Sequence, residues 1–594
     1  MKIQRGLQWS GSRPTAVGWI LLGLSFAVGA HGAVALRAPA GYVPGLPVLL
    51  RVEVLRDDGR IDRNTWDGVA DISVTPAGTT LSTNRVFLRN GLGSTLVTFS
   101  AASDLDVTVT VDGVSATRHL AALNIQSAAD IGGTLPGTAT TWSGVVSVTN
   151  DVVVPAGHVL TLLPGTWVLM RGVASGTAGT QLRVNGEVHS LGTREAPVVI
   201  TCANAGMRWG QIRHTDAQPS TYQHTIITLA GRAPGEGHTG QGPAIRTSGS
   251  TVAFDQCSIT DHASPAGTPG KIMQASTSSI TMTNCLLSRA RMGPEIDSTA
   301  LQFIDSYIID TRGPDDADGI YLHSQTAGQI IHLAGCVIAG GDDDGIDTLG
   351  SDITVEDCIV RGWKYPGDDS KGISVLGGEC RVWRCLLADN TIGLSGKGGN
   401  GENVRVRIDH CTIVGNSYGV AVTNKTGSSP IIDYRITNSI IVAPDAVFTQ
   451  YDPADIHISY SLVGEEWPGT GNLEGDPGFV DGAAWNYRLK PQSLCIDAGD
   501  TLSALDPDGS RSDLGGITFI PPPPSLGGAP GFVAGKFGFN LNAYPNRNYV
   551  LETSLNGSDW SFWQRVFQTT AIQPIQDPDS TTTGMRLYRA HLAP

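Results

Sequence analysis

FDQCSIT, residues 254–260, and MTNCLLS, residues 282–288, share one pattern that sets the fold of the chain. In both, an apolar residue stands three positions before a cysteine, and an aliphatic residue stands two positions after it. The same pattern recurs at intervals of 21 to 30 residues, with cysteine or serine at its centre. The central residues are Cys257, Cys285, Ser306, Cys336, Cys358, Cys385, Cys411, Ser439 and Ser461.

Repeats of this length, with turn signals between short apolar stretches, are typical of a β-solenoid in which each repeat forms one coil. Alternation along each strand directs the aliphatic columns inward, and coils stacked about 4.8 Å apart bury them in one core. The cysteine and serine column then forms a stack of small interior side chains. We therefore predict an all-β protein whose main domain is a right-handed parallel β-helix (solenoid) over residues 128–500.

The segments on either side of the predicted β-helix differ from it. Residues 1–35 contain basic residues, a short apolar run and then small residues, which predicts a secretory signal peptide. Residues 36–124 and 531–594 alternate apolar and polar residues between turns, which predicts small β-sandwich-like domains. Residues 501–530 are rich in proline and glycine and predict a linker. The apolar run is shorter than the about 20 residues of a membrane helix, so we expect no membrane span.

The charge of the chain limits its partners. The net charge is −15, which argues against nucleic acid and anionic lipid. An exported acidic protein that binds an anionic polymer needs a local positive group, such as a metal ion. We expect a secreted or cell-surface monomer.

The stretch GGDDDGIDTLGS, residues 340–351, crowds four aspartates into six positions, namely Asp342, Asp343, Asp344 and Asp347. Carboxylates this close repel one another. Either they project into water from a loop, or a positive charge lies among them.

A glycine followed by an aliphatic residue marks each coil and aligns this stretch with its neighbours. The residue before that glycine is Asp318, Asp344 and Lys371 on three successive coils, which puts the three about one strand spacing apart. The turns that precede Asp318 and Lys371 are longer than those of the other coils. They predict two walls with a cleft between them, and loops on a rigid scaffold are where function concentrates.

The aspartates in this cleft suit a hard cation, because Ca²⁺ prefers oxygen ligands and carboxylates above all. We predict that Asp318, Asp343, Asp344 and Asp347 bind Ca²⁺, provided that the turn folds Asp343 toward Asp347. Lys371 would lie beside the ion, and a neutral lysine is a competent base. This combination suits β-elimination on a polymer of uronic acids. The cation neutralises the substrate carboxylate, the base removes the C5 proton, and the glycosidic oxygen leaves C4.

The run DDGID, residues 343–347, resembles the coil motif of polysaccharide lyases with a parallel β-helix, and most closely that of the family-nine pectate lyases. The resemblance implies that these aspartates bind Ca²⁺ together with an aspartate of the preceding coil, and that Lys371 is the Brønsted base. Asp318 is the best match for the preceding-coil aspartate, and Asp316 is the second. The interval from the aspartates to the lysine is shorter here than in that family.

Other residues of the two walls are candidates for substrate binding. Arg312 and Arg361 are predicted to bind substrate carboxylates, and Trp363 and Tyr365 to stack on sugar rings. Salt bridges for the arginines and packing for the aromatic residues remain open alternatives.

The leading hypothesis is an exported, Ca²⁺-dependent lyase acting on an acidic polysaccharide. One alternative is a non-catalytic extracellular β-helix protein for adhesion or carbohydrate binding. Another is a β-helix glycoside hydrolase of the polygalacturonase type, which carries Gly-His-Gly where this chain has SKG at 370–372.

Overall fold

The structure is a computed structural model, which divides into two compact units that are described separately below. The larger unit spans residues 31–500 and 513–518, and the smaller one spans 1–30, 501–512 and 519–594. The residues described are 20–21, 32–125, 129–235, 237, 242–262, 270–313, 316–365, 370–398, 403–424, 431–450, 454–580 and 586–593. Most of the predicted signal peptide, 1–35, lies outside them.

The larger unit is built on a parallel β-helix, which confirms the predicted fold class. Its strands form three ladders that run along the axis, two of them joined into one 25-stranded sheet and the third a 13-stranded sheet. The joined sheet begins with strands Ala129–Thr134 and Val145–Val154. Strand Val145–Val154 bends, so that its first part pairs with one ladder of the joined sheet and its last part with the other ladder.

We name the ladders by their position. The site face consists of Leu182–Val184, Ile212–Thr215, Pro243–Ser248, Lys271–Ser276, Met292–Asp297, Ile320–His323, Ile346–Leu349, Lys371–Leu376, Ile392–Gly398, Tyr418–Asn424 and Ala446–Gln450. The second face consists of Ala139–Trp142, Val159–Leu162, Glu187–Leu191, Ser220–Gln223, Thr251–Asp255, Ser279–Thr283, Ala300–Ile304, Ile331–Ala334, Ile353–Glu356, Gly378–Trp383, Val404–Asp409, Ile432–Thr437 and Asp455–Ser459. The third face consists of Trp167–Met170, Val198–Cys202, Thr225–Thr228, Ser258–Thr260, Leu286–Ser288, Tyr307–Ile309, Val337–Ala339, Ile359–Arg361, Leu386–Ala388, Thr412–Val414, Ile440–Val442 and Leu462–Val463.

The predicted column of cysteines and serines lies inside the β-helix, before the strands of the third face. Its cysteines are fully buried free thiols. Cys336 illustrates their bonding, because its thiol donates to the Phe303 carbonyl at 3.0 Å and its N–H donates to the sulfur of Cys358 at 3.4 Å. The column thus satisfies backbone groups at the corner of each coil as well as filling space.

An eight-stranded, mostly antiparallel sheet precedes the β-helix in the same unit. Its strands are Ala33–Arg37, Gly41–Tyr42, Val48–Leu55, Asp67–Thr75, Arg85–Arg89, Leu92–Val97, Leu105–Val111 and Val114–Ala122. The sheet covers the outer side of the third face, where Leu92 packs with Tyr307 and Val337. This contact leaves the site face on a different side of the solenoid. After the last coil come the hairpin strands Phe479–Asp481 and Asn486–Leu489, joined by a 3-10 helix at Gly482–Ala484.

The smaller unit has two β-sheets around an aromatic core that includes Phe539 and Tyr588. One sheet consists of Ile20–Leu21, Leu587–Leu592, Arg547–Ser554 and Ser561–Gln568, and the other of Ser525–Val533, Lys536–Asn542 and Ile572–Asp577. Strand Ser525–Val533 begins inside the predicted linker, and its pairing with Lys536–Asn542 is irregular between Gly527 and Gly531. Among the described residues, no helix is long and apolar enough to cross a membrane.

Candidate functional site

Asp318, Asp344 and Lys371 occupy equivalent positions on three successive coils, at the corner where the chain enters the site face. Each precedes a glycine, and backbone hydrogen bonds connect the corners. The Gly319 N–H donates to the Asp344 carbonyl, and the Gly345 N–H donates to the Lys371 carbonyl, both at 2.8 Å. The three residues therefore follow one another at the spacing of adjacent coils.

Glycine is needed at this corner because Trp363 fills the inside of the coil. The Trp363 ring is fully buried, and its Nε1 donates to the Ile338 carbonyl at 3.2 Å. A Cβ at Gly345 would lie 2.6 Å from the Gly372 carbonyl oxygen and 2.9 Å from that nitrogen, and a Cβ at Gly341 would lie 1.9 Å from Cζ3 of the ring. Trp363 is therefore a core residue, not the exposed sugar-stacking residue that the sequence predicts.

The inward turn at this corner brings three carboxylates together on the outside. Gly345 faces the interior and Ile346 is fully buried in the core, so Asp344 and Asp347 emerge on the same side. One carboxylate oxygen from each of Asp318, Asp344 and Asp347 can be chosen so that all three lie within 4.8 Å of one another. We call these three residues the acidic cluster.

Two lysines from later coils reach the central acid of the cluster. The Nζ of Lys371 lies 3.4 Å from Oδ1 of Asp344, and the Nζ of Lys397 lies 3.6 Å from Oδ2. The backbone N–H of Lys371 also donates to Oδ1, at 2.8 Å. On the other side, the Asp344 N–H donates to Oδ1 of Asp318 at 3.3 Å. Asp344 thus links the lysines to the other two acids.

Burial and mutual repulsion disfavour the ionised form of the cluster. The pKa of Asp318 is raised well above its ordinary value, first by burial and then by the charges of Asp347 and Asp344. The pKa of Asp347 is raised to about 6 by burial and then by Asp344, although Lys397 and Lys371 oppose the shift. Such a site favours either a bound cation or a retained proton.

Asp342 and Asp343 bind backbone groups in the turn of the preceding coil, while the charge of Asp343 also raises the pKa of Asp318. Oδ2 of Asp343 accepts from the Asp316 N–H at 2.8 Å, and Oδ2 of Asp342 accepts from the Gly313 N–H at 3.1 Å. The predicted set of four metal ligands is therefore reduced to three, because Asp343 is not among the carboxylates that come together. Arg312 is 55% exposed and pairs with Asp342 at 2.8 Å.

Arg361 lies beneath the N-terminal sheet instead of on the wall of a cleft. Its guanidinium pairs with Asp67, stacks over Trp66 at 4.3 Å, and leaves the side chain only 3% exposed. It therefore joins two parts of the larger unit and does not face a substrate, which corrects the sequence prediction. Tyr365 is 44% exposed and stays accessible, next to residues 366–369, which lie outside the described residues.

Sequence reasoning missed two side chains that border the cluster, Tyr321 and Lys397. Tyr321 pairs in register with Asp347, and its ring stacks on His323 with 4.8 Å between ring centroids. The signal was present in the sequence. Tyr321 and Asp347 each stand two residues after the marking glycine of their own coil. Lys397 stands four residues after the marking glycine of its coil, Gly393. Both offsets point outward from the strand.

A second buried ion pair lies on the site face and joins the two coils that precede the coil of Asp318. The Nζ of Lys271 pairs with Glu295, and the other oxygen of Glu295 lies 3.2 Å from Nε2 of His323. Lys271 and Glu295 are both fully buried. The site face therefore carries polar groups over several consecutive coils.

Comparison with known proteins finds likenesses among solved structures alone. No protein-family model matches the chain, and no curated protein matches it. It is similar to an alginate lyase from Paenibacillus sp. str. FPU-7, with 13% identity and a TM-score of 0.23, over 53% of this chain and 97% of that one. A surface adhesin of Streptococcus pneumoniae matches with 12% identity and a TM-score of 0.23, over 55% and 79%.

A double mutant of the tailspike protein of E. coli bacteriophage HK620, in complex with a pentasaccharide, matches with 10% identity and a TM-score of 0.23. That match covers 76% of this chain and 86% of the tailspike chain. At these TM-scores the likenesses carry no argument about what this chain binds or catalyses.

Proposed function

We propose that the protein is a secreted lyase that cleaves an acidic, uronate-containing polysaccharide by Ca²⁺-assisted β-elimination. Asp318, Asp344 and Asp347 would bind the ion, and Lys371 would be the base. The observation that carries the proposal is the approach of three carboxylates within 4.8 Å, with the Lys371 amine 3.4 Å from the central one, on the site face of a β-helix.

The acidic cluster fits a calcium ion in its donor chemistry. Ca²⁺ prefers carboxylate oxygens and takes six to eight oxygens in all, so a substrate carboxylate and water would complete the shell. Burial first, and the neighbouring carboxylates second, raise the pKa values of Asp318 and Asp347, so a bound cation would stabilise their ionised forms. When bound, the ion would neutralise the uronate carboxylate and so acidify the C5 proton.

The chain's own residues would carry the proton transfer. Asp344 holds Lys371 through both its backbone N–H and its amine, which fixes the direction of Nζ. The Lys371 amine would take the C5 proton, and the electron pair of that C–H bond would form the C4–C5 double bond. The C4–oxygen bond would break with its electron pair going to the leaving oxygen, which water would protonate. Lys397, 12% exposed beside the same acid, would supply positive charge toward the anionic chain.

Two other functions have an observation in their favour. Closely spaced carboxyls with a raised pKa at Asp318 suit the acid of a glycoside hydrolase. The burial of Lys371, 3% exposed in its side chain, suits a structural ion pair in a non-catalytic carbohydrate-binding protein.

One assay separates the three functions. Purified protein is incubated with pectate, alginate and glycosaminoglycans, with calcium or with a chelator, and both ultraviolet absorbance of unsaturated uronate and new reducing ends are recorded. We expect absorbance that requires calcium and is lost in Lys371→Ala. The matched control is Lys364→Ala, which removes a lysine paired with Asp389 on the neighbouring turn. Reducing ends without absorbance would indicate hydrolysis, and neither signal on any polymer would favour the non-catalytic function.

A further inference from the structure

A cavity opens at the corner where the chain leaves the site face, on the same three coils that carry the acidic cluster and Lys371. The turn at 324–330 is long there, whereas the next two coils turn at 350–352 and at the single residue 377. The long turn therefore forms a wall beside two short ones, and the space there measures about 370 Å³. That volume lies within the about 300–1,000 Å³ typical of small-molecule sites. We call this space the corner cavity.

Hydrogen bonds within the lining hold the corner cavity in shape. Nε2 of Gln325 donates to the Gln329 carbonyl at 2.6 Å, and Oε1 of Gln325 accepts from the Asp352 N–H at 2.6 Å. Oε1 of Gln329 accepts from the Thr326 N–H at 2.9 Å. Oδ1 of Asp352 accepts from the Glu379 N–H at 2.7 Å. These bonds connect all three coils, so a ligand would enter a preformed site and would not have to order it.

The lining offers both acceptors and donors to a ligand. Oε1 of Glu379 lies 2.9 Å from Nε of Arg381, whose side chain is 64% exposed. Thr354 stands in register with Arg381 on the adjacent strand of the second face. Beyond these bonds, Asp352 and Glu379 each have a second carboxylate oxygen, and Arg381 has two terminal nitrogens. The carboxylate oxygens would accept hydrogen bonds from sugar hydroxyls, and the guanidinium would donate to them.

Apolar surface and open space complete the corner cavity. Ile330, at the end of the long turn, is 64% exposed, although Ile331 and Ile353 beside it are buried in the core. A Cβ added at Gly328 or at Gly350 would meet no atom within 4 Å. A sugar ring carries C–H groups as well as hydroxyls, and its C–H groups would pack on Ile330. One exposed apolar side chain among several polar groups therefore suits a sugar residue.

The charge of the corner cavity disfavours an anionic ligand. The charged residues of its lining are Asp352, Glu379 and Arg381, so two carboxylates and one guanidinium give a net charge of −1. The carboxylates would repel a uronate, a sulfate or a phosphate placed there, and the guanidinium already pairs with Glu379. An uncharged sugar meets no such repulsion.

The surface between the acidic cluster and the corner cavity is accessible. Asp347 and Gly350 are three residues apart on one coil, which is about 10 Å along an extended chain. The outward residue between them is Leu349, which pairs in register with His323 and Leu376 on the two neighbouring coils. All three of these residues are partly exposed. A glycan that runs along the strands, across the axis of the β-helix, would therefore reach both the cluster and the cavity.

We infer that the corner cavity binds an uncharged sugar residue of the same glycan whose uronate lies at the acidic cluster. The substrate is then a heteropolysaccharide in which uncharged sugars are linked to uronates, and not a polymer of uronates alone. Binding of the uncharged sugar would orient the neighbouring uronate over the acidic cluster. This inference rests on the proposed function and narrows its substrate class.

Binding to the full-length chain tests the inference. Dissociation constants are measured by titration calorimetry with calcium in a Lys371→Ala background, so that the polymer is not consumed. The heteropolymers are hyaluronan, which alternates glucuronate with N-acetylglucosamine, and rhamnogalacturonan, which alternates galacturonate with rhamnose. Polygalacturonate and alginate are the polymers of uronates alone.

Two variants alter the corner cavity in different ways. Asp352→Asn/Arg381→Gln removes charged groups and nearly keeps their size, whereas Ala327→Trp places a large side chain on an exposed residue of the lining. The matched control is Asp455→Asn/Arg435→Gln, which changes an exposed pair at 3.2 Å on later coils of the second face. Far-ultraviolet circular dichroism and melting temperature verify that each variant folds.

We expect both cavity variants to bind at least one heteropolymer about ten-fold or more weakly than the parent, since hydrogen bonds to charged groups, or the space itself, are lost. The control should bind as the parent does, and affinity for the polymers of uronates alone should not fall. Equal affinity of the parent and either cavity variant for both heteropolymers would overturn the inference, as would a parent that binds neither of them. An equal loss of affinity for polygalacturonate would also overturn it.

Turnover separates this inference from the proposed function. In the active chain, Asp352→Asn/Arg381→Gln should raise KM for the heteropolymer and leave kcat unchanged. Unsaturated product formed with an unchanged KM would overturn the role of the corner cavity and leave the lyase standing. Binding of a heteropolymer that depends on the cavity, without any unsaturated product, would retain the cavity as a sugar site and refute the lyase.

Discussion

The crowding of acids on the site face should make the protein less stable as pH rises, and Asp347→Asn should reduce that dependence. The pKa of Asp347 is raised from its ordinary 3.8 to about 6 in the folded chain. Between these values the folded state binds more protons than the unfolded state, so the free energy of unfolding falls as pH increases. Below pH 4 both states are protonated, and above pH 6 the full cost of the ionised acid is present.

The size of the effect follows from the shift. About two pKa units correspond to about 2.7 kcal/mol at most. Because Asp347 is partly exposed and shares its proton affinity with Asp318 and Asp344, we expect a smaller effect of about 1–2 kcal/mol. Calcium should reduce the loss, since an ion that binds only the folded state stabilises it by mass action.

The assay is urea unfolding of the wild type and Asp347→Asn at pH 4, 5, 6 and 7, with calcium and with chelator. The matched control is Asp455→Asn, which changes an acid that is 56% exposed in the same β-helix. Above pH 6 and without calcium, Asp347→Asn should be more stable than the wild type, and the two should converge at pH 4. Wild-type stability that rises from pH 4 to 7 by the same amount as in Asp347→Asn would refute the reasoning.

Three further substitutions test the surrounding structure. Trp363→Ala should destabilise the β-helix by about 3–5 kcal/mol, the usual cost of truncating a buried tryptophan; a urea midpoint close to that of the wild type would contradict its place in the core. Gly341→Ala should destabilise the chain, because the new Cβ would lie 1.9 Å from the Trp363 ring. The comparison is Gly482→Ala, which also lacks a positive φ and whose Cβ would meet atoms only at 3.9 Å. Equal losses for the two would refute the steric account. Arg361→Ala should loosen the N-terminal sheet from the third face and increase proteolysis between residues 32 and 125, because it removes a buried guanidinium that pairs with Asp67 and stacks over Trp66. Proteolysis at the wild-type rate would contradict that role.

Much of the fold was predictable because a solenoid repeats one local structure, the coil, which contacts only its neighbouring coils. The central residue of FDQCSIT recurs at equivalent corners, and its burial depends only on strand alternation and on the next coil. The order of Asp318, Asp344 and Lys371 follows from the same repetition. Each of these inferences needs contacts only between neighbouring coils.

The details that failed depend on geometry that a repeat does not encode. Asp343 and Asp344 are adjacent in sequence, yet the corner at Gly345 turns one toward Asp316 and the other toward the cluster. The interior position of Trp363 reflects the space left by glycines on neighbouring coils. Such corners break the period of two on which alternation arguments rest.

Arg361 failed for another reason, which is distance along the chain. Its partner Asp67 is separated from it by 294 residues. The sequence of the coil contains no signal for the docking of the N-terminal sheet on the third face. In the sequence, an arginine at a strand end was consistent with binding a substrate carboxylate and with contacting the N-terminal sheet. Only the tertiary structure decides between these two roles.

The central claim is that Asp318, Asp344 and Asp347 hold a divalent cation beside the amine of Lys371. A crystal structure of the protein grown with calcium, and again with terbium as an anomalous scatterer, measures this directly. We predict an anomalous peak bonded to oxygens of all three aspartates, at the about 2.3–2.6 Å typical of calcium. A cluster with no peak at saturating metal, in which the two lysine amines occupy the space between the carboxylates, would contradict it.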